Sequence, residues 1–77
     1  MISACILVRT EKGKFEDVVT KMKSIPGVKL VFPVLGRYDV VVDLEAANGK
    51  ELGRSSSKVN RLAGVVFTET LPEVESI

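Results

Sequence analysis

The sequence predicts an α+β fold in which a four-stranded antiparallel sheet carries two helices on one face, and three observations predict it. The hydrophobic pattern alternates between a period of two and the longer helical period, in the order β-α-β-β-α-β. Two short segments echo each other: "IPGV" at 25–28 and "LAGV" at 62–65 each end a helix and launch a strand. Between the two halves, Gly36-Arg37 reads as the loop of a β-hairpin, with glycine at the first central position as a type II′ turn requires. Two βαβ halves joined by a hairpin make the ferredoxin-like split βαβ topology. Right-handed crossovers then put both helices on the same side of the sheet.

Each element has a local reason. Residues 2–9, "ISACILVR", are strand-like and are bounded by the polar "TEKGK". From about 14 to 24 the period changes: Phe15, Val18, Val19 and Met22 fall at i, i+3, i+4 and i+7, the stripe of an amphipathic helix. Ile25 follows that stripe, and Pro26-Gly27 stops the helix. Residues 28–35 read as the second strand and 38–45 as the third. Asn48 suits the N-cap of a second helix over 49–61, with Leu52, Ser55, Ser56, Val59 and Leu62 on its buried side. Gly53 and three consecutive serines lower the propensity of that helix, and their small size is expected to let it approach the sheet closely. Residues 64–71 form the fourth strand, and a tail runs from Pro72.

Size and composition narrow the function. A chain of 77 residues is one domain, expected to span 1–77, with a thin core of its own. One cysteine and no histidine leave no internal disulfide and no zinc-type cluster, so no metal or other cofactor is expected and a partner subunit is the staple to look for. Eleven basic and ten acidic residues give a net charge of +1, unlike the basic footprint of a nucleic-acid binder. The apolar run from Ala4 to Val8 is far too short to span a bilayer, and the N-terminus lacks a signal-peptide pattern. A soluble cytoplasmic protein with no membrane partner is expected.

Strand alternation sorts the sheet residues into two sets. One holds Ile2, Ala4, Ile6, Val8, Val28, Leu30, Phe32, Val34, Tyr38, Val40, Val42, Leu44, Val65 and Phe67. The other holds Cys5, Leu7, Val31, Leu35, Val41 and Val66, with Thr68 and Thr70. A sheet open to water on its second face alternates cleanly with charge, and this one does not. The second set therefore reads as an oligomer interface through which the sheet packs on a second copy. Phe32, Tyr38 and Phe67 read as core or turn residues, and the first strand has no aromatic, unlike an RNA-recognition sheet.

Few segments carry chemistry. "GRSSSK" at 53–58 lacks the second glycine of a phosphate loop and falls within a helix. Cys5, in mid-strand, reads as a small buried hydrophobe. Without histidine no nucleophile–base–orienter set assembles. That leaves "GRYD" at 36–39 and the paired Thr68 and Thr70 of "VFTET", whose residue chemistry alone favours ordinary turn and strand roles over ligand contact.

The order strand, helix, "IPGV", strand, "GRYD", strand, helix, "AGV", "TET" resembles the effector-binding domain of the Lrp/AsnC regulators, also called the RAM (regulation of amino acid metabolism) domain. The resemblance implies a ferredoxin-like unit that dimerises through its sheet, assembles into octamer or decamer rings, and binds amino acid effectors at contacts between dimers. It implies that Gly36, Arg37, Tyr38 and Asp39 line the effector site and that Thr68 and Thr70 supply hydroxyls. Asp39 then pairs with the ammonium of an amino acid, while backbone N–H groups near Gly36 and the threonines take its carboxylate. Arg37 either clamps that carboxylate or bridges subunits. Full-length members carry a helix-turn-helix before this unit, whereas this sequence starts at the first strand. A stand-alone RAM protein is expected, with no direct DNA binding, acting alone or by co-assembly with full-length Lrp/AsnC regulators. The alternatives are a dimeric α+β-barrel enzyme and a purely structural assembly subunit without ligand.

Overall fold

Six elements form in the expected order: β1 (Ile2–Thr10), α1 (Phe15–Met22), β2 (Val28–Pro33), β3 (Val40–Ala46), α2 (Gly49–Asn60) and β4 (Val65–Pro72). The computed structural model describes residues 1–74. Part of the expected tail from Pro72 lies outside the described residues, and Pro72 itself closes β4. The strands lie in the order β2-β3-β1-β4, each pair antiparallel, which is the ferredoxin-like arrangement.

The core follows from alternation in the two central strands. Ala4, Ile6 and Val8 of β1 and Val40, Val42, Leu44 and Ala46 of β3 all point to the helix side and are buried. Against them pack Val18 and Met22 of α1, Leu52 and Val59 of α2, and Ile25 between. Burying each large apolar side chain contributes about 1.5–3 kcal/mol, which is the main force holding the helices down. Glu16 and Asp17 in the first turn of α1 and Lys21 in its last complement the helix dipole. The Asn48 side chain caps α2 as expected, accepting the Glu51 N–H at 3.0 Å.

The repeated "PGV" and "AGV" corners have a common geometry. Gly27 and Gly64 both hold positive φ, +91° and +96°. A Cβ on Gly27 would meet the Glu45 carbonyl oxygen, and one on Gly64 would lie 2.8 Å from Val18 Cγ2. Each glycine carbonyl also accepts a backbone N–H, Gly27 from Glu45 and Gly64 from Glu11, both at 2.8 Å. Only glycine lets the chain turn this sharply while touching the neighbouring element. Gly53 is different: nothing lies within 4 Å of where its Cβ would be, so it does not serve a close approach of α2 to the sheet.

Two bulges shift the face assignment read from simple alternation. On β2, Val28 pairs with Leu44 but Leu30 pairs with Asp43, so Lys29 is an extra residue. On β4, Val65 pairs with Thr10 but Phe67 pairs with Arg9, so Val66 is extra. Each bulge reverses the phase of the strand residues beyond it. Leu30, Phe32 and Phe67, expected in the core, therefore stand on the open face, 58%, 43% and 54% exposed. Val31, expected at the oligomer interface, lies opposite Val42 and packs against the core instead. Thr68 and Thr70 lie opposite Val8 and Ile6, and so on the helix side as well.

The hairpin also departs from expectation. The strands stop at Pro33 and start again at Val40, so the loop is longer than two residues. It is closed by the Val34 N–H donating to the Asp39 carbonyl at 3.0 Å. Gly36, at φ +127°, takes the corner that only glycine adopts freely. Asp39 also bonds to the other side, where its N–H donates to the Val8 carbonyl of β1 at 2.8 Å. The loop is thus tied to the centre of the sheet as well as to its edge.

Candidate functional site

The loop between β2 and β3 folds back over the open face at the end of β1 and β4. Arg9, the last open-face residue of β1, donates from Nε and Nη2 to the Arg37 carbonyl at 3.0 and 2.8 Å. Its guanidinium lies 6.0 Å from the centre of the Tyr38 ring, within the range of a cation–π contact. Tyr38 stacks on Phe67 of β4, with ring centroids 6.4 Å apart and planes at 23°. Its hydroxyl donates to Glu69 Oε1 at 2.7 Å. That hydrogen bond first, and then desolvation and the negative charge of Glu69, push the Tyr38 phenol above its usual value of 10.0, with Arg9 and Arg37 pulling the other way. The phenol is therefore a neutral donor throughout the physiological range.

Asp39 has a different setting. Its Oδ2 accepts the Thr10 N–H at 2.8 Å and lies 3.4 Å from the Thr10 hydroxyl. The carboxylate thereby satisfies a backbone donor at the end of β1, beside the bulge in the β1–β4 pairing. The threonine pair is not turned towards the loop. The Thr68 hydroxyl donates to Asn60 Oδ1 at 2.6 Å, fastening β4 to the end of α2. Within one protomer, then, Arg37, Tyr38 and Asp39 gather at one end of the open face, while Thr68 and Thr70 address the opposite side of the sheet.

Arg9, Phe67 and Glu69 belong to this cluster and are absent from the sequence expectation. The available signal was the alternation of Phe67, Glu69 and Leu71, three residues that share a face once Val66 is taken as a bulge. Away from the loop, the open face carries Cys5, Leu7, Val41, Leu30, Phe32 and Leu71, with Asp43 as its central charge. Leu35, expected on the same face, lies in the loop and is fully exposed. Val66 is exposed at its bulge. Cys5 is half-buried, and burial first and the nearby Asp43 carboxylate second raise its thiol from the usual 9.0. On the helix side, a groove of about 440 Å³ lies between the helices, lined by Lys21, Ile25, Pro26, Lys58, Arg61 and Leu62, and it includes none of the loop residues. No helix among the described residues is long and apolar enough to cross a membrane.

The chain is thus a ferredoxin-like sheet with one apolar face uncovered and a polar loop folded over its end. The chain belongs to the Lrp/AsnC family: the family model described as the Lrp/AsnC ligand binding domain matches residues 3–77. Over 70 residues, 91% of this chain, it is 33% identical to the HTH-type transcriptional regulator FL11 of Pyrococcus furiosus, and the match spans 46% of that regulator. It is 37% identical over 70 residues, 90% of this chain, to a segment of homocitrate synthase of Sulfurisphaera tokodaii that makes up 15% of that enzyme. The chain thus spans less than half the length of these curated relatives. The crystal structure of a hypothetical protein from Pyrococcus horikoshii matches with a TM-score of 0.87 at 30% identity, covering 99% of this chain and 93% of that one.

Proposed function

We propose that this chain is a non-enzymatic sensor module that binds a small effector, an amino acid, and changes its own assembly in response. The observation that carries this reading is the position of the β2–β3 loop, folded over the end of an apolar sheet face in a chain of the Lrp/AsnC ligand binding family. A second copy packing on that face brings two loops close to the subunit boundary, where residues 36–39 of one chain line the effector site; Thr68 and Thr70, on the helix side of their own sheet, join it only from a neighbouring chain whose helix side meets the loop. The polar groups suit a zwitterion: carboxylate and aromatic groups for the ammonium, guanidinium and backbone N–H groups for the carboxylate. Dimers assemble further into octamer or decamer rings. The module works in the cytoplasm, alone or by joining regulators of its family such as those of the FL11 type. The homocitrate synthase relative supports a regulatory part for the domain, since the shared segment is a small fraction of that enzyme.

An effector alters assembly only through unequal affinity for two assembly states. Native mass spectrometry of the purified protein, alone and with each standard amino acid, tests the proposal. An even-numbered assembly that retains one amino acid stoichiometrically is the expected result. Assemblies that retain none would instead fit the structural-subunit reading, and a monomer at micromolar concentration would overturn both.

A further inference from the structure

Asp39, to which the family resemblance gives the ammonium of the effector, is anchored to β1 through one of its two oxygens. Asp39 Oδ2 accepts the Thr10 N–H and lies near the Thr10 hydroxyl, which anchors this carboxylate at the end of β1 and leaves only Oδ1 for a ligand. Glu69 is the opposite case. It stands on the edge strand β4, on the open face, and is solvent-exposed. Its single hydrogen bond among the described residues is the one it accepts from Tyr38 at Oε1. A carboxylate offers about four acceptor positions on two oxygens, and one is in use. It takes part in no ion pair among the described residues.

The surroundings of Glu69 are already held in place. Phe67, two residues back on the same face, stacks with Tyr38 and forms an apolar shelf beside the carboxylate. Arg9 lies opposite Phe67 and diagonal to Glu69, and its two bonds to the Arg37 carbonyl fix both its guanidinium and the loop. Three elements thereby bring a carboxylate with spare acceptors, an aromatic shelf and a guanidinium to one end of the open face. This is the complement of a molecule with an ammonium at one end and an anion at the other.

Resting on the effector-binding reading above, we propose that Glu69 is the carboxylate that receives the amino group of the amino acid, with Arg9 as the positioning residue that holds the loop against it. Tyr38 orients Glu69 through its hydroxyl, and Phe67 packs against the Cα–H and side chain beside the ligand ammonium. Asp39 keeps its place as the clamp between the loop and β1.

The experiment is calorimetric titration of the intact protein with the twenty standard L-amino acids, followed by the best binder and its N-acetyl derivative on variants. Glu69→Gln keeps an acceptor for Tyr38 and removes only the charge. It is expected to weaken the free amino acid at least tenfold. N-acetylation is expected to weaken the wild type by a similar factor and to cost the Glu69→Gln variant little more, because both changes delete the same pairing. Glu16→Gln, an equal charge change on α1, is the control and is expected to leave affinity within threefold. Wild-type protein that binds an amino acid, together with a Glu69→Gln variant within threefold of it, overturns this inference and leaves the effector reading standing. Wild-type protein that binds none of the twenty overturns the effector reading itself. Arg9→Lys, which cannot make the forked contact to the Arg37 carbonyl, is expected to lower affinity with an unchanged acetylation penalty, because it disturbs the loop and not the ammonium pairing. An acetylation penalty lost in Arg9→Lys as well would overturn the positioning role.

Discussion

Gly53 sits in the interior of α2, exposed, at an ordinary helical φ and with empty space where a Cβ would point. There it only adds backbone freedom to the unfolded chain, so Gly53→Ala is expected to stabilise the protein by about 0.5–1 kcal/mol. Gly27 sets the contrast. Its positive φ and the Glu45 carbonyl beside it make Gly27→Ala costly: about 1–2 kcal/mol for the left-handed backbone, with the displacement of β3 added to it. Urea unfolding of the two variants beside the wild type checks both signs at once. Cys5 gives a third measurement. Burial and then Asp43 raise its thiol, so the protein holds this proton more tightly than the unfolded chain does. The associated stability is complete below the usual 9.0 and is lost as pH climbs through the raised value of the folded state. Thiolate absorbance is expected to show a midpoint above 9.0 in native protein and near it in urea, and alkylation at neutral pH is expected to be slow.

At the scale of elements, the Asp39 side chain ties the loop between β2 and β3 to the end of β1. Asp39→Ala removes the acceptor for the Thr10 N–H and is expected to cost about 1–3 kcal/mol, the penalty for orphaning a part-buried donor. Thermal melts at one concentration read this directly, and an unchanged midpoint would mean that water replaces the carboxylate at no loss. The six elements themselves were legible, because Phe15, Val18 and Met22 repeat at helical spacing and Ile2 to Val8 alternate, and because the core strands β1 and β3 carry no irregularity before Arg9. The edge strands were not. Lys29 and Val66 are ordinary strand residues by type, and nothing in a single sequence marks them as the extra residue of a bulge. Each bulge then moved Leu30, Val31, Phe32, Phe67, Thr68 and Thr70 to the side opposite from the one that simple alternation gives. The candidate site suffered for the same reason. "GRYD" was visible as a motif, but its partners Arg9, Phe67 and Glu69 depend on the register of β4, which the bulge at Val66 sets.

For the whole molecule, the question is what covers the open face. A chain of 77 residues buries little more than roughly 60% of its unfolded surface, so its stability is marginal without help. The bulges make the open face more apolar than alternation alone implied, since they bring Leu30, Phe32 and Phe67 onto it beside Cys5, Leu7 and Val41. Asp43, Arg9 and Glu69 interrupt this surface and favour a particular register between two faces over indiscriminate sticking. If a second copy covers it, folding and assembly are linked, and the melting temperature rises with protein concentration. Phe32→Glu tests this where the monomer has least to lose, because Phe32 lies on an edge strand and is 43% exposed in the isolated chain. The variant is expected to sediment as a smaller species, to keep its far-ultraviolet circular dichroism, and to melt at a temperature independent of concentration. Lys58→Glu, on the helix side and away from the face, is expected to leave the wild-type assembly intact. A wild-type protein that sediments as a monomer at every concentration would instead mean that the buried core of one chain suffices, and the apolar face would then need an occupant other than a copy of itself.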